Sequence, residues 1–472
     1  MSASFDVAVV GGGPAGSILA LRMAQLGASV CLLERARFPR RHLGESLTPG
    51  VLPLLASIGA SAEVTVGAMR VERVGMRWEA DLVERRDPDA RGLLVDRGVF
   101  DAVLLGHARA AGVEVRQPAT VRAIASRGER GFTLAVDAMG GPVSIDARLV
   151  ADASGRSAGL GARALGRKRT PVGARTFAVH AYWRGRALPA TPSIEAVPRG
   201  WCWGVPIPDG SYETLAFIDE SRWTERDGSL ERWLVTLLGD TSIGRAIEGA
   251  RLDGPARIVD ATASLDEHPI GARWIRVGDA ALTLDPLSSS GVQKAIQSAL
   301  AAAIVLHTLL RHPGDRALAI RFYEEHVRAA SARHARWAAE HYALARERFD
   351  DPFWARRAAS GDEVAPRAAR PSAVQAARGS ADASHWRLSA EARVREVPCL
   401  GVDRVELRQA LEHPALDGPA AFLGDTALAP LVTALPPRFR LEDLARCWPS
   451  LAPSRALAIA RYLRDRGVLE PA

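Results

Sequence analysis

Three glycines carry the first chemical signal. Gly11, Gly13 and Gly16 form GxGxxG between a β-rich stretch, Phe5 to Val10, and a stretch with helical apolar spacing, Ser17 to Leu26. Glycines so placed let a backbone approach a pyrophosphate, and the helix that follows turns its positive end on the same group. Ala15 lies inside the turn. Glu34, 18 residues beyond Gly16, closes a second β-rich stretch where a carboxylate accepts hydrogen bonds from ribose hydroxyls. Strand, turn, helix, strand and acid together predict a dinucleotide fold and leave FAD or NAD open.

Other reactive residue types give less. Cys31, Cys202, Cys399 and Cys447 lie far apart without CxxC spacing, which argues against a zinc site or a disulfide framework. The 11 histidines lack ligand spacing, so no metal is expected. Net charge is +7, but the only lysines are Lys168 and Lys294, and the arginines are scattered rather than gathered in a basic stripe. That pattern disfavours nucleic acid. The longest apolar run, Ala299 to Leu306, is too short for a bilayer, and Met1 to Asp6 lacks a basic leader; no membrane and a cytoplasmic location are expected.

The elements that must position these groups follow from periodicity. Phe100 to Ala111 reads as a helix closed by Gly112, and Val113 to Val121 and Phe132 to Val136 as strands. Alternation over Thr176 to Trp183, Trp201 to Ile207 and Thr214 to Ile218 predicts an antiparallel sheet inserted into the nucleotide fold. Helical spacing resumes after Gly291 and lasts to about Trp354, with Asp350 and Asp351 ending a helix. The expected organisation is a nucleotide-binding domain over 1–170 and 270–357, a substrate sheet over 171–269, a linker over 358–384 and a C-terminal domain over 385–472.

Three further segments resemble the nucleotide contacts of aromatic-hydroxylase flavoproteins: VDRGVFD around Arg97, VADASGR around Asp152, and VGDAALTLDP around Gly278 and Asp279. The resemblance implies FAD, with Asp279 on the ribityl chain, Arg97 near the pyrophosphate and the backbone around Val121 on the adenine. Asp152 reads as a turn residue. HLGESLTPG (His42 to Gly50), WCWGVP (Trp201 to Pro206), DPLSSSGV (Asp285 to Val292) and HYALARERFDDPFW (His341 to Trp354) resemble flavin-dependent halogenases and their monooxygenase relatives. The likeness runs from residue 5 to about 357. It implies an α/β fold: a Rossmann-like FAD domain, an inserted antiparallel substrate sheet, and beyond it a mostly helical, winged-helix-like C-terminal domain.

One departure bears on the reaction. Halogenases carry a lysine after GES, and the matching stretch GAMRVERVGMRW has Arg70 there. A guanidinium stays protonated and cannot serve as the amine that relays hypohalous acid, so halogenation is disfavoured unless Lys294 reaches the site. The resemblance then implies an FAD monooxygenase that hydroxylates an electron-rich ring through a flavin C4a-hydroperoxide. It places Glu45, Ser46, Pro286, Ser290 and Gly291 beside the flavin, with Glu45 deprotonating or orienting the substrate, or else only fixing a turn. Trp201 and Trp203 line the substrate pocket or belong to the core. No second GxGxxG follows, so NAD(P)H reduces the flavin directly or through a partner reductase.

The tail FRLEDLARCWPSLAPSRALAIARYLRDRGVL reads as helix, turn, helix and short strand, with expected helices at Thr426 to Leu435, Leu441 to Cys447 and Ser454 to Arg466. A flavin-responsive DNA-binding regulator is the non-enzyme alternative. From Trp386 onward, however, 12 Arg face 11 Asp and Glu, too even a balance for a groove binder. A docking module for a protein-borne substrate, or a simple cap on the flavin domain, suits it better. The resemblance extends to monooxygenases that act on a tryptophan of a partner polypeptide in tryptophylquinone maturation; tailoring of a free or carrier-borne aromatic competes, and a geranylgeranyl-reductase-like activity ranks lower.

Overall fold

The computed structural model describes residues 3–86, 92–156, 165–364, 385–416 and 418–472. They form two compact units, Met1–Ala365 and Pro366–Ala472.

In the first unit, strand Ala3–Val10 ends in an apolar run, Val7 to Val10, and buries Val7, Ala8 and Val9 completely, as an inner parallel strand requires. It pairs in parallel with Val30–Leu33 on one side and Gly141–Asp152 on the other, and Glu114–Arg116 continues the parallel set beyond Val30–Leu33. Phe132–Ala138 and Ala119–Ser126 extend the sheet antiparallel, and Trp274–Arg276 returns to pair in parallel with Gly141–Asp152, completing seven strands. The strand expected over Val113 to Val121 is interrupted at Gln117–Pro118.

Helix Pro14–Gln25 opens with proline at its first position, where no amide is needed, and packs on helix Gly291–Arg311. The latter, 21 residues long, is apolar enough to cross a membrane by composition, but Ile296, Ala299, Ala302, Val305 and Leu306 are buried within the unit. Helix Arg97–Ala110 starts at Asp96, whose carboxylate accepts from the amides of Gly98 (2.7 Å) and Val99 (3.3 Å). Asp96→Ala is expected to lower stability by about 1 kcal/mol, read as a lower denaturation midpoint.

The inserted sheet has eight strands. Six come from the expected span: Phe177–Arg184, Ser193–Val197, Gly200–Pro206, Tyr212–Ile218, Arg251–Leu252 and Arg257–Asp260. The other two, Arg73–Arg77 and Val83–Arg86, come from the segment between the nucleotide motifs, and Arg73–Arg77 joins Ser193–Val197 in parallel. The sheet is therefore wider than 171–269 and not wholly antiparallel.

Helices Arg316–Arg346 and Pro352–Val364 pack on each other. Asp351 accepts from the Phe353 amide at 2.8 Å, so it opens the second helix rather than closing the first. That helix passes the expected linker start at 358, and residues 365–384 of the linker lie outside the described residues.

The C-terminal unit has the expected helices, two trimmed to Leu428–Thr433 and Leu444–Cys447 and the third moved by one residue to Pro453–Asp465. The last buries Ala456, Ile459, Ala460 and Leu463, one stripe at helical spacing, against Trp386, Leu431 and Trp448. Leu469–Pro471 pairs with Trp386–Leu388. A hairpin of Arg393–Leu400 and Val405–Glu412, absent from the sequence expectation, completes the unit.

Candidate active site

The glycine turn meets its second motif in space. Gly11 has φ +108°, and a Cβ on Gly16 would stand 1.9 Å from the Gly11 carbonyl, so both places require glycine. Gly13 differs: a Cβ there would meet only the Arg40 guanidinium, at 3.9 Å, and its backbone is extended. The helix after it has no side-chain cap, which leaves first-turn amides for an anion. Glu34 bends back to this turn, accepting from the Gly12 amide at 2.6 Å and the Ala36 amide at 2.8 Å. The Glu34 carbonyl accepts from the Ala119 amide, which sets the strand carrying Val121 beside it; the Val121 side chain is buried. Gly278 (φ +60°) packs so close to Ala15 that an added Cβ would lie 2.7 Å from the Ala15 Cβ.

Asp279 follows in that second turn. Burial alone raises its carboxyl, but Lys294 (Nζ at 2.6 Å) and Arg156 (Nε at 3.5 Å) hold it below the usual range. Lys294 also donates to the Leu282 carbonyl. Lys294 is thereby committed to Asp279 and Leu282. Asp152, as expected, serves a turn, accepting from the Ser154 amide and hydroxyl.

The GES segment is strapped from below. Arg97 is buried, donates to the Leu43 (2.7 Å) and Gly44 (3.3 Å) carbonyls, and pairs with Asp101 at 3.1 Å. The cation nearest Gly13 is instead Arg40, within 3.6 Å of Asp101. Sequence reasoning missed it; its only signal was the basic run that follows Phe38. Ser46–Leu47 pairs with Gly92–Leu94, and Thr48 donates to Gln293 in the first turn of helix Gly291–Arg311. The segment holding Glu45 and Ser46 therefore lies against the helix start that carries Ser290 and Gly291.

DPLSSSGV is fixed from the other side. Asp285 caps the turn that starts at Pro286, accepting from the Leu287 amide at 3.0 Å, and Ser289 is left-handed at φ +49°. A non-glycine residue there is uncommon. Ser290 meets Ser288 through their hydroxyls at 2.7 Å. Tyr342 donates to Asp285 at 2.9 Å and takes a hydrogen bond from the Trp201 indole at 3.3 Å. Trp201 is 2% exposed, stacks on Phe217 at 3.7 Å and sits with Trp78, Phe353 and Trp354 in one aromatic cluster. It is a core residue that braces the loop; Trp203, on the same strand, is half-buried. Arg70 is exposed on strand Met69–Val71.

Glu45 is 5% exposed and accepts from the Tyr182 hydroxyl at 2.7 Å. Burial and the neighbouring Glu213 carboxylate raise its carboxyl well above the ordinary range. Glu213 and His180, on the inserted sheet, are also buried, and sequence reasoning missed both.

Comparison with known proteins places this arrangement. Residues 90–397 match the tryptophan halogenase family and residues 6–169 the FAD-dependent oxidoreductases. A tryptophan 2-halogenase of Chondromyces crocatus is 32% identical over 356 residues, 72% of this chain and 67% of that protein. The chain belongs to the tryptophan halogenase family. Within this family of FAD-dependent oxidoreductases, the peptidyl tryptophan dihydroxylase QhpG, essential for tryptophylquinone cofactor biogenesis, is a solved neighbour. It has a TM-score of 0.74 and 26% identity over 98% of this chain and 100% of its own. The flavin-dependent halogenase CmlS shares the fold, with a TM-score of 0.79 at 23% identity, covering 99% of this chain and 96% of its own. As a family member the chain is a halogenase-like enzyme that takes FAD as cofactor.

Proposed function

We propose that this enzyme hydroxylates an electron-rich aromatic ring and that its acceptor is a tryptophan of a partner polypeptide. The observation that carries the reading is that no lysine stands at the relay position: Arg70 is there instead, Lys294 is bound to Asp279 and Leu282, and Lys168 is an exposed partner of Glu267. The likeness to QhpG, at 26% identity over 98% of this chain, supports the acceptor. The C-terminal unit is the docking module in this reading. The four cysteines are free thiols, in keeping with a reducing, cytoplasmic setting.

The residues fit FAD. The amides after Gly13 and the Arg40 guanidinium hold the pyrophosphate, Glu34 the ribose, the backbone near Val121 the adenine and Asp279 the ribityl chain, while Arg97 keeps the GES segment in place. Bound and reduced, the flavin with dioxygen supplies an electrophilic oxygen atom. Ser46, Pro286, Ser290 and Gly291 would border the isoalloxazine, Trp203 would line the substrate pocket, and Glu45 would take or orient the substrate's acidic proton.

The second reading, halogenation of an aromatic, rests on the 32% identical halogenase. The deciding experiment is mass spectrometry of reactions with FAD, NAD(P)H, a flavin reductase, chloride and oxygen, offering tryptophan-containing partner peptides beside free indoles and phenols. Oxygen added to peptides alone is the expected result; oxygen on free aromatics alone makes it a tailoring enzyme, and chlorine in any product overturns the reading. Arg70→Lys is expected to yield no halogenated product in the same assay, since a lone amine lacks its supporting shell.

A further inference from the structure

We propose that Glu45 and Glu213 share one proton across the boundary between the GES segment and the inserted sheet. Tyr182 and His180 position the pair as the reservoir for the proton that substrate oxidation releases. The inference rests on the reading of Glu45 as the group that meets the substrate's acidic proton; Glu213, Tyr182 and His180 act through it.

Three elements bring the quartet together. Glu45 comes from the GES segment, His180 and Tyr182 from one face of strand Phe177–Arg184, and Glu213 from strand Tyr212–Ile218, where it is the direct partner of Tyr182. The two carboxyls meet at Tyr182, whose hydroxyl donates to Glu45 and whose cross-strand partner is Glu213. Tyr182 donates to Glu45 Oε1 at 2.7 Å, and the Gly44 amide donates to Glu45 Oε2 at 2.7 Å. His180 Nδ1 stands 3.2 Å from Glu213 Oε1 without hydrogen-bond geometry, and both atoms are buried without a partner among the described residues.

Two like charges this close in a buried site cannot both ionise. The cation that acts on Glu45, Arg97, is itself paired with Asp101 and does not offset the burial. Burial holds the His180 imidazole down to about 4, so it stays neutral. Among the other charged groups, Arg41, over the Tyr182 ring at 5.0 Å, is paired with Asp253. Arg257, beside His180, disfavours a charged imidazole further. Burial pushes Glu213 up to about 7 and Glu45 well above its usual range, as expected when one proton serves two carboxylates.

The cycle then balances. At rest the pair carries one proton and one negative charge. As a ring carbon gains the hydroxyl group, the O–O bond breaks, the substrate's N–H or O–H bond breaks with its electron pair staying on the aromatic system, and Glu45 takes that proton, making the pair neutral; the proton lost from the oxidised ring carbon then restores the N–H or O–H as the ring becomes aromatic again. Reduced flavin supplies two electrons and dioxygen both oxygen atoms. The proton returns to the oxygen atom that leaves as water.

Isotope-edited infrared spectroscopy of the substrate-free holoenzyme tests the pair directly. A protonated-carboxyl band is expected at neutral pH, lost in Glu213→Gln and altered in Tyr182→Phe. Its absence from the wild type, or its survival unchanged in Glu213→Gln, overturns the proposal. Stability gives a second readout. A carboxyl raised in the folded state stabilises at pH below its unfolded value, and that contribution is lost as pH rises through about 7. The wild-type denaturation midpoint should therefore fall across that rise more steeply than that of Glu213→Gln; parallel curves count against the shared proton. In turnover, Glu213→Gln should lower kcat at least about tenfold, within the range of general acid–base effects, with KM unchanged and partial rescue by Glu213→Asp. A shared-proton band in an enzyme that oxidises no aromatic acceptor would sink the reaction assigned above while supporting the pair.

Discussion

Gly13→Val is expected to fold as the wild type does and to lose FAD. The backbone at Gly13 is extended (φ −69°, ψ −176°), which valine adopts without strain, and only the flexible end of Arg40 lies near its Cβ. The side chain would project into the space in front of the uncapped helix, where a pyrophosphate must approach the backbone. A loss of at least about 100-fold in FAD affinity, or roughly 2.7 kcal/mol, is expected. Bound-flavin absorbance per chain measures it, with a thermal melt as control. Gly16→Val provides the contrast: its Cβ would stand 1.9 Å from the Gly11 carbonyl, and no side-chain adjustment relieves a clash with backbone. That variant should fail to fold. Full flavin occupancy in Gly13→Val would remove the pyrophosphate from this turn.

Trp201→Ala should cost stability before it costs specificity. The indole is 2% exposed, stacked on Phe217 at 3.7 Å and packed against Trp78, so truncation leaves a cavity in the aromatic cluster. About 3–5 kcal/mol is expected from denaturant unfolding. Trp201→Phe retains the stack and gives up the hydrogen bond to Tyr342, a loss of about 1 kcal/mol. Trp203→Ala, at a half-buried position, should change KM more than stability. A large KM effect with unchanged stability in Trp201→Ala would move that residue from the core into the pocket.

The glycine turn is legible because its physics is local: Gly11, Gly16 and Glu34 act within one strand–turn–helix–strand unit, and periodicity marks each boundary. The three main strands of the inserted sheet are legible for the same reason. What escapes is contact between distant segments. Nothing near Glu213 in the sequence points to Glu45, and Arg40 faces Gly13 only because the segment after Glu34 folds back. Trp201 could be pocket or core until Phe217, Tyr342 and Trp78 were seen around it. The hairpin Arg393–Leu400 with Val405–Glu412 lacks a clean alternation and carries Pro398 within a strand, which hides it from a pattern based on period two.

The two strands that the inserted sheet borrows from residues 73–86 bear on modularity. Excised alone, 171–269 would present Ser193–Val197 as a bare edge, its parallel partner Arg73–Arg77 left behind. Bare edges recruit other chains and aggregate. A swap of 171–269 between relatives therefore makes the incoming Ser193–Val197 pair with the host's own Arg73–Arg77, and only a graft that carries both stretches keeps the native register.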